Sequence, residues 1–134
     1  IGHNEHGLKY NFAQLAGMRQ SGEVSKLIIV YGSVADKDVD SVIHLMPEDA
    51  TYIFTQASGK RALAASVIYE KYKDFCESEG RAFENVFCCE SVDLAMAKAK
   101  ELAVDYPGSL IYIGGSTYVV SEAVALQESC GMKI

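Results

Sequence analysis

The sequence predicts an α/β domain built on an open, mainly parallel Rossmann-like sheet with helices on both faces. Three observations point there. Four short apolar runs, rich in β-branched and aromatic residues, alternate with longer amphipathic stretches. Within the runs, consecutive positions are apolar, the mark of strands covered on two sides. Single helical stretches separate successive runs, which implies right-handed crossovers between parallel neighbours.

Taken in order, Leu8, Phe12 and Leu15 recur at helical spacing and define the first helix. Residues 26–31 (KLIIVY) read as the first strand, and Val39, Val42, Ile43 and Met46 as the second helix. Residues 51–55 (TYIFT) are the second strand. Ala65, Ile68, Tyr72, Phe75 and Cys76 share one face of the third helix, which Gly80 ends as a C-cap. Residues 85–89 (NVFCC) supply the third strand. Val92, Ala95, Met96, Ala99 and Leu102 form the fourth helix, with Ser91 placed to cap its first turn. Residues 109–113 (SLIYI) are the fourth strand, and residues 118–129 the last helix, with Val120, Ala123, Val124 and Gln127 in register. A further antiparallel edge strand is expected from residues 78–83 or 131–134. No linker or internal repeat interrupts the pattern, so residues 1–134 read as one domain.

Composition narrows the function. Hydrophobic residues are 49% and charged residues 22%, the balance of an ordinary globular domain. A net charge of -6, with no basic run to offset it, argues against nucleic-acid binding through phosphate neutralisation. The apolar runs are too short to cross a bilayer, and no leader is visible at the start. Cys76, Cys88, Cys89 and Cys130 show no C-x-x-C spacing. Free thiols are expected, with a reducing cytoplasmic location and a monomeric state. At Cys88 and Cys89, opposite strand faces imply a core thiol beside an exposed one.

Ligands of open parallel sheets bind beyond the carboxyl ends of the strands. Four loops therefore matter: residues 32–38, 55–61, 89–91 and 114–118. Gly114-Gly115-Ser116-Thr117 admits two readings, an anion cradle of backbone N–H groups with the Ser116 hydroxyl, or a tight turn capped by Ser116 or Thr117. No P-loop pattern occurs anywhere. Asp36, Lys37 and Asp38 open a helix, where they serve either a phosphate or Mg²⁺-bound group or simply the helix end. Capping accounts for the aspartates but not for Lys37. Arg61 suits a carboxylate through bidentate bonds, or else belongs to a solvated basic loop. At the start, His3 and His6 match no usual zinc spacing; no metal site is expected, and Asn4 reads as a helix cap.

Four stretches in fixed order carry a resemblance: GHNEHG at residues 2–7, YGSVADKDVDSVIHLMP at 31–47, YIFTQASGKRAL at 52–63, and IYIGGSTYVVSEA at 111–123. Together they resemble the C-terminal domain of the folylpolyglutamate synthase/dihydrofolate synthase branch of the Mur ligase superfamily. The resemblance implies a three-substrate ligase. ATP, with Mg²⁺, converts a carboxylate of dihydropteroate or folate into an acyl phosphate, and the amine of L-glutamate then displaces phosphate to form the amide. It implies an N-terminal ATPase domain on the same chain holding the P-loop, so that this domain alone is not expected to catalyse. By motif, His3 and Asn4 correspond to the family's element beside the nucleotide and amino-acid sites, and Asp36 and Lys37 to its interdomain active-site turn. Ser116, Thr117 and Arg61 fall to the glutamate side, with His3, Lys37 and Ser116 closest to the chemistry. Gly59-Lys60 departs from the family, where a proline is common, and leaves the Arg61 loop looser. The competing readings are a stand-alone ligand-binding or regulatory domain of the same fold, and an interaction domain docking through an exposed helix face.

Overall fold

The computed structural model describes residues 5–130. Nine elements follow one another as expected: α1 (Glu5–Ser21), β1 (Leu27–Gly32), α2 (Val39–Ile43), β2 (Thr51–Phe54), α3 (Ala65–Glu79), β3 (Val86–Cys88), α4 (Val92–Asp105), β4 (Leu110–Gly115) and α5 (Thr117–Cys130). The four strands form one sheet in the order β3-β2-β1-β4, and every neighbouring pair is parallel.

Alternation along each strand divides the core into two layers. Leu27, Ile29, Tyr31, Tyr52, Phe54 and Tyr112 point to the face covered by α1, α2 and α3. Ile28, Val30, Ile53 and Ile113 point to the opposite face, against Val92, Ala95, Met96 and Ala99 of α4 and Val119 and Ala123 of α5. The sides follow from direction of travel. The chain steps from β1 to β2 to β3 one way, then crosses back to β4, and right-handed crossovers place α4 on the other face.

Local signals act as the sequence suggests. Gly80 ends α3 in the left-handed conformation at φ 68, and the Ser91 hydroxyl accepts from the Leu94 N–H at 3.4 Å. Ala64 offers α3 no side-chain cap; Gln56 Oε1 substitutes, accepting the Ala65 N–H at 2.9 Å.

Several expectations need correction. β3 is less completely buried than the other strands: it is a three-residue edge strand in which Val86 and Phe87 are half-buried against opposite core layers and Cys88 is exposed. Asn85 precedes it at φ 55, outside the strand conformation. α2 stops at Ile43, short of Met46, which packs into the core from the following turn. Gly114 and Gly115 belong to β4 rather than to a turn, because pairing with β1 continues through Tyr31↔Gly114 and Gly32↔Gly115. Residues 78–83 form no edge strand, since α3 runs through Glu79; residues 131–134 lie outside the described residues. Cys76 is buried and Cys88 exposed, while Cys89 is only half-buried.

Candidate functional site

Strand order reverses between β1 and β4, so the two chain ends diverge there and open a crevice at the carboxyl rim. A cleft of about 350 Å³ lies at that point, lined among others by Tyr31, Ser33, Lys37, Arg61, Ser116 and Thr117. Its base is set by two glycines. A Cβ on Gly115 would stand 2.0 Å from the Gly32 carbonyl oxygen, and one on Gly32 would stand 2.7 Å from the Thr55 carbonyl oxygen. Only residues without a side chain let these three strand ends approach so closely.

Ser116 sits where β4 becomes α5 and is buried. Its N–H donates to the Gly32 carbonyl at 2.8 Å, and its hydroxyl oxygen accepts the Tyr118 N–H at 3.0 Å. The helix-cap reading is thus realised, and the Ser116 hydroxyl donates no bond to another described residue. Thr117, at the first position of α5, is exposed beside it.

Across the cleft, the loops after β1 and β2 are stitched together. Ala35 N–H donates to the Arg61 carbonyl at 2.8 Å and Leu63 N–H to the Ser33 carbonyl at 2.9 Å, with an antiparallel bridge between Val34 and Ala62. This stitching brings Lys37 and Arg61 to one cleft although they lie on different loops. Asp36 does not cap α2; Asp38 does, accepting the Ser41 N–H at 3.3 Å and the Ser41 hydroxyl at 2.6 Å. Those bonds hold the Asp38 carboxyl below its usual range. Asp36 instead lies 3.7 Å from Arg61 Nη2, and Arg61 Nη1 lies 3.5 Å from the Tyr118 hydroxyl. Both contacts are long and solvent-exposed, so they hold the guanidinium weakly and leave it available to an anion. Lys37 makes no ion pair among the described residues.

Tyr31 lies below, where burial pushes its hydroxyl up to about 12 against a smaller opposing effect of the Ser33 hydrogen bond. It is therefore neutral at ordinary pH. A smaller cavity of about 220 Å³ adjoins the far side of Arg61 and Tyr118, bounded by Ala57, Ser58 and Lys60.

Lys37, Arg61, Ser116 and Thr117 are thus brought together, and Asp36 joins them through Arg61. His3 and Asn4 lie outside the described residues. The 89–91 loop is not part of the cleft, because β3 stands at the opposite edge of the sheet. Sequence reading missed Glu122, whose carboxylate binds Ser58. Glu122 carries no local signal, since its partner Ser58 is distant in sequence. In the 55–61 loop, the buried Thr55 hydroxyl has no hydrogen-bond partner among the described residues.

No curated protein matches the chain. Solved structures do. Folylpolyglutamate synthase/dihydrofolate synthase from Yersinia pestis, complexed with AMPPNP and a Mn ion, is similar at a TM-score of 0.74 and 20% identity, covering 96% of this chain and 27% of that one. Escherichia coli FolC in complex with ADP gives 0.73 and 18%, covering 98% and 28%. Mycobacterium tuberculosis folylpolyglutamate synthase complexed with ADP and AMPPCP gives 0.69 and 23%, again covering 98% and 28%. At these identities the likeness is one of fold, and the chain spans just over a quarter of each relative's length. The family described as Mur ligase, glutamate ligase domain, matches residues 1–117, and the chain belongs to it.

Proposed function

We propose that this chain is the C-terminal domain of a two-domain ATP-dependent ligase joining L-glutamate to dihydropteroate or a folate. The observation that carries this reading is the grouping of Lys37, Arg61, Ser116 and the N-terminus of the fourteen-residue α5 around one cleft at the strand switch point. Two cations and a helix N-terminus suit anionic groups: a phosphate on one side and an amino-acid carboxylate on the other. The family's description and the nucleotides held by the similar structures favour the same chemistry.

In this reading Arg61, with Ser116 and Thr117 beside the α5 N-terminus, holds the carboxylate of the incoming glutamate. Lys37 and Asp36 face the nucleotide side, where His3 and Asn4 are placed by motif alone. A carboxylate activated as an acyl phosphate is attacked by the glutamate amine; the C–N bond forms, the C–O bond to phosphate breaks, and the amine loses a proton. Closure of this domain over an ATPase domain excludes the water that would hydrolyse the acyl phosphate. The residues present fit anions better than a divalent ion. Among the described residues no group of three or more His, Cys, Asp or Glu stands together as a metal shell. We therefore assign Mg²⁺ and the phosphate-binding loop to the other domain.

The test is a steady-state assay of the full-length protein with ATP, L-glutamate, and either dihydropteroate or tetrahydrofolate. ADP release should require both the folate-type acid and glutamate, and the 134-residue chain alone should release none. Ser116→Ala should lower kcat/KM by about tenfold or more, as expected for removal of a positioned donor. His3→Ala should act in the same direction. Full rates in both variants would refute the assignment of the site, and no glutamate-dependent ADP release in the full-length protein would refute the ligase reading.

A further inference from the structure

Sixty-four positions separate Ser58 from Glu122, yet a single carboxylate oxygen, Glu122 Oε2, accepts both the Ser58 backbone N–H and the Ser58 hydroxyl, each at 2.9 Å. Hydrogen bonds to an ionised acceptor are stronger than neutral ones, and here two donors of one exposed residue converge on a single oxygen of the half-buried Glu122. The bonds join two parts of the same cleft. Ser58 belongs to the loop after β2 that carries Arg61, and Glu122 stands in the second turn of α5, whose first residues face the cleft.

That loop needs an anchor. Gly59, at φ 114 with open space around it, is the next residue, and only Lys60 then separates it from Arg61. On the far side the loop is fixed by the Arg61 carbonyl bond to Ala35. Among the described residues the guanidinium has only its long, exposed contacts to Asp36 and Tyr118. Its direction is therefore set by the backbone beneath it, which is fastened to Ala35 at Arg61 itself and, across Gly59 and Lys60, to Glu122 at Ser58.

We propose that Glu122 is a positioning residue. It clamps the Ser58 loop onto α5 and so aims Arg61 at the carboxylate of the amino-acid substrate. The proposal rests on the ligase reading above and adds a residue that acts through Arg61 without touching substrate. A clamp of this kind affects the affinity for one substrate, whereas a purely structural role affects all kinetic constants together.

The experiment is a double-substitution cycle in the full-length protein: Glu122→Ala, Arg61→Ala, and both. Glu122→Ala should raise the KM for L-glutamate about tenfold while kcat and the KM for ATP change less than about twofold, a loss set by misorientation and not by chemistry. Glu122→Gln keeps an acceptor oxygen without the charge and should raise that KM only about threefold. In the Arg61→Ala background, Glu122→Ala should add no further change, because both substitutions remove the same contact. Multiplicative effects, or equal changes in all three constants, would overturn the clamp. So would an active protein whose Glu122→Ala and Glu122→Gln variants keep an unchanged KM for L-glutamate. Wild-type protein without glutamate-dependent ADP release would overturn the ligase reading itself, a separate result.

Discussion

Adding one methyl group at Gly115 tests how the cleft is built. In the Gly115→Ala chain the new carbon would stand 2.0 Å from the Gly32 carbonyl oxygen and 2.8 Å from Tyr31 Cε1. The tyrosine edge has some room to yield, but the carbonyl oxygen does not. It is held by the Gly32↔Gly115 register and accepts the Ser116 N–H at 2.8 Å, so moving it breaks the β1–β4 ladder at its end. Gly115 also sits at φ 102, a conformation that side chains disfavour. Backbone strain of about 1–3 kcal/mol and overpacking of about 1–3 kcal/mol combine to roughly 4 kcal/mol lost. With a urea m-value of about 2 kcal/mol per molar, the unfolding midpoint should fall by about 2 M. Gly17→Ala is the matched control. Gly17 lies within α1 with nothing within 4 Å of the added carbon, so the same methyl group should stabilise by about 0.5–1 kcal/mol. A Gly115→Ala midpoint within about 0.5 M of the unsubstituted protein would refute the account of the strand switch point as a glycine-only contact.

Two further outcomes are expected of the folded chain. Thr55→Val removes a fully buried hydroxyl with no hydrogen-bond partner among the described residues and replaces it with a methyl group of similar shape. Urea unfolding should show a gain of up to about 1 kcal/mol, and a loss of that size would reveal a partner for the hydroxyl. Tyr31 ionises near 10.0 when unfolded but is pushed up to about 12 when folded, so the unfolded chain releases its proton first as pH rises. Stability contributed by neutral Tyr31 is complete below pH 10 and drains away as the pH approaches 12. Tyr31→Phe should flatten the fall in unfolding midpoint over that window, and an equally steep fall in the variant would assign the effect to other groups.

The candidate site was legible in uneven measure. Lys37 stood out because a cation at a helix start is unexplained by capping, and it does line the cleft. Ser116 was visible as the cap of α5, since a serine between an apolar strand and a helix is a local signal. The Asp36–Arg61 contact was not visible, because either residue by itself reads as an ordinary loop charge. Glu122 was hidden for the same reason: on the helix it reads as one more solvated acid, and only folding delivers Ser58 to it.

The sequence by itself determined the kind and order of the elements. Apolar runs at 27–31, 51–54 and 110–113 are too continuous for surface helices, Gly80 and Ser91 punctuate the helices by local chemistry, and both signals act within a few residues of chain. Tertiary structure alone decided the strand order β3-β2-β1-β4, the thin edge strand β3, and the extension of β4 through Gly115. It also decided which loops share the cleft. The physical reason is range. Propensity and capping are settled by neighbours in sequence, whereas register, close backbone approach and the clamp from Glu122 depend on where distant segments meet once both faces of the sheet are covered.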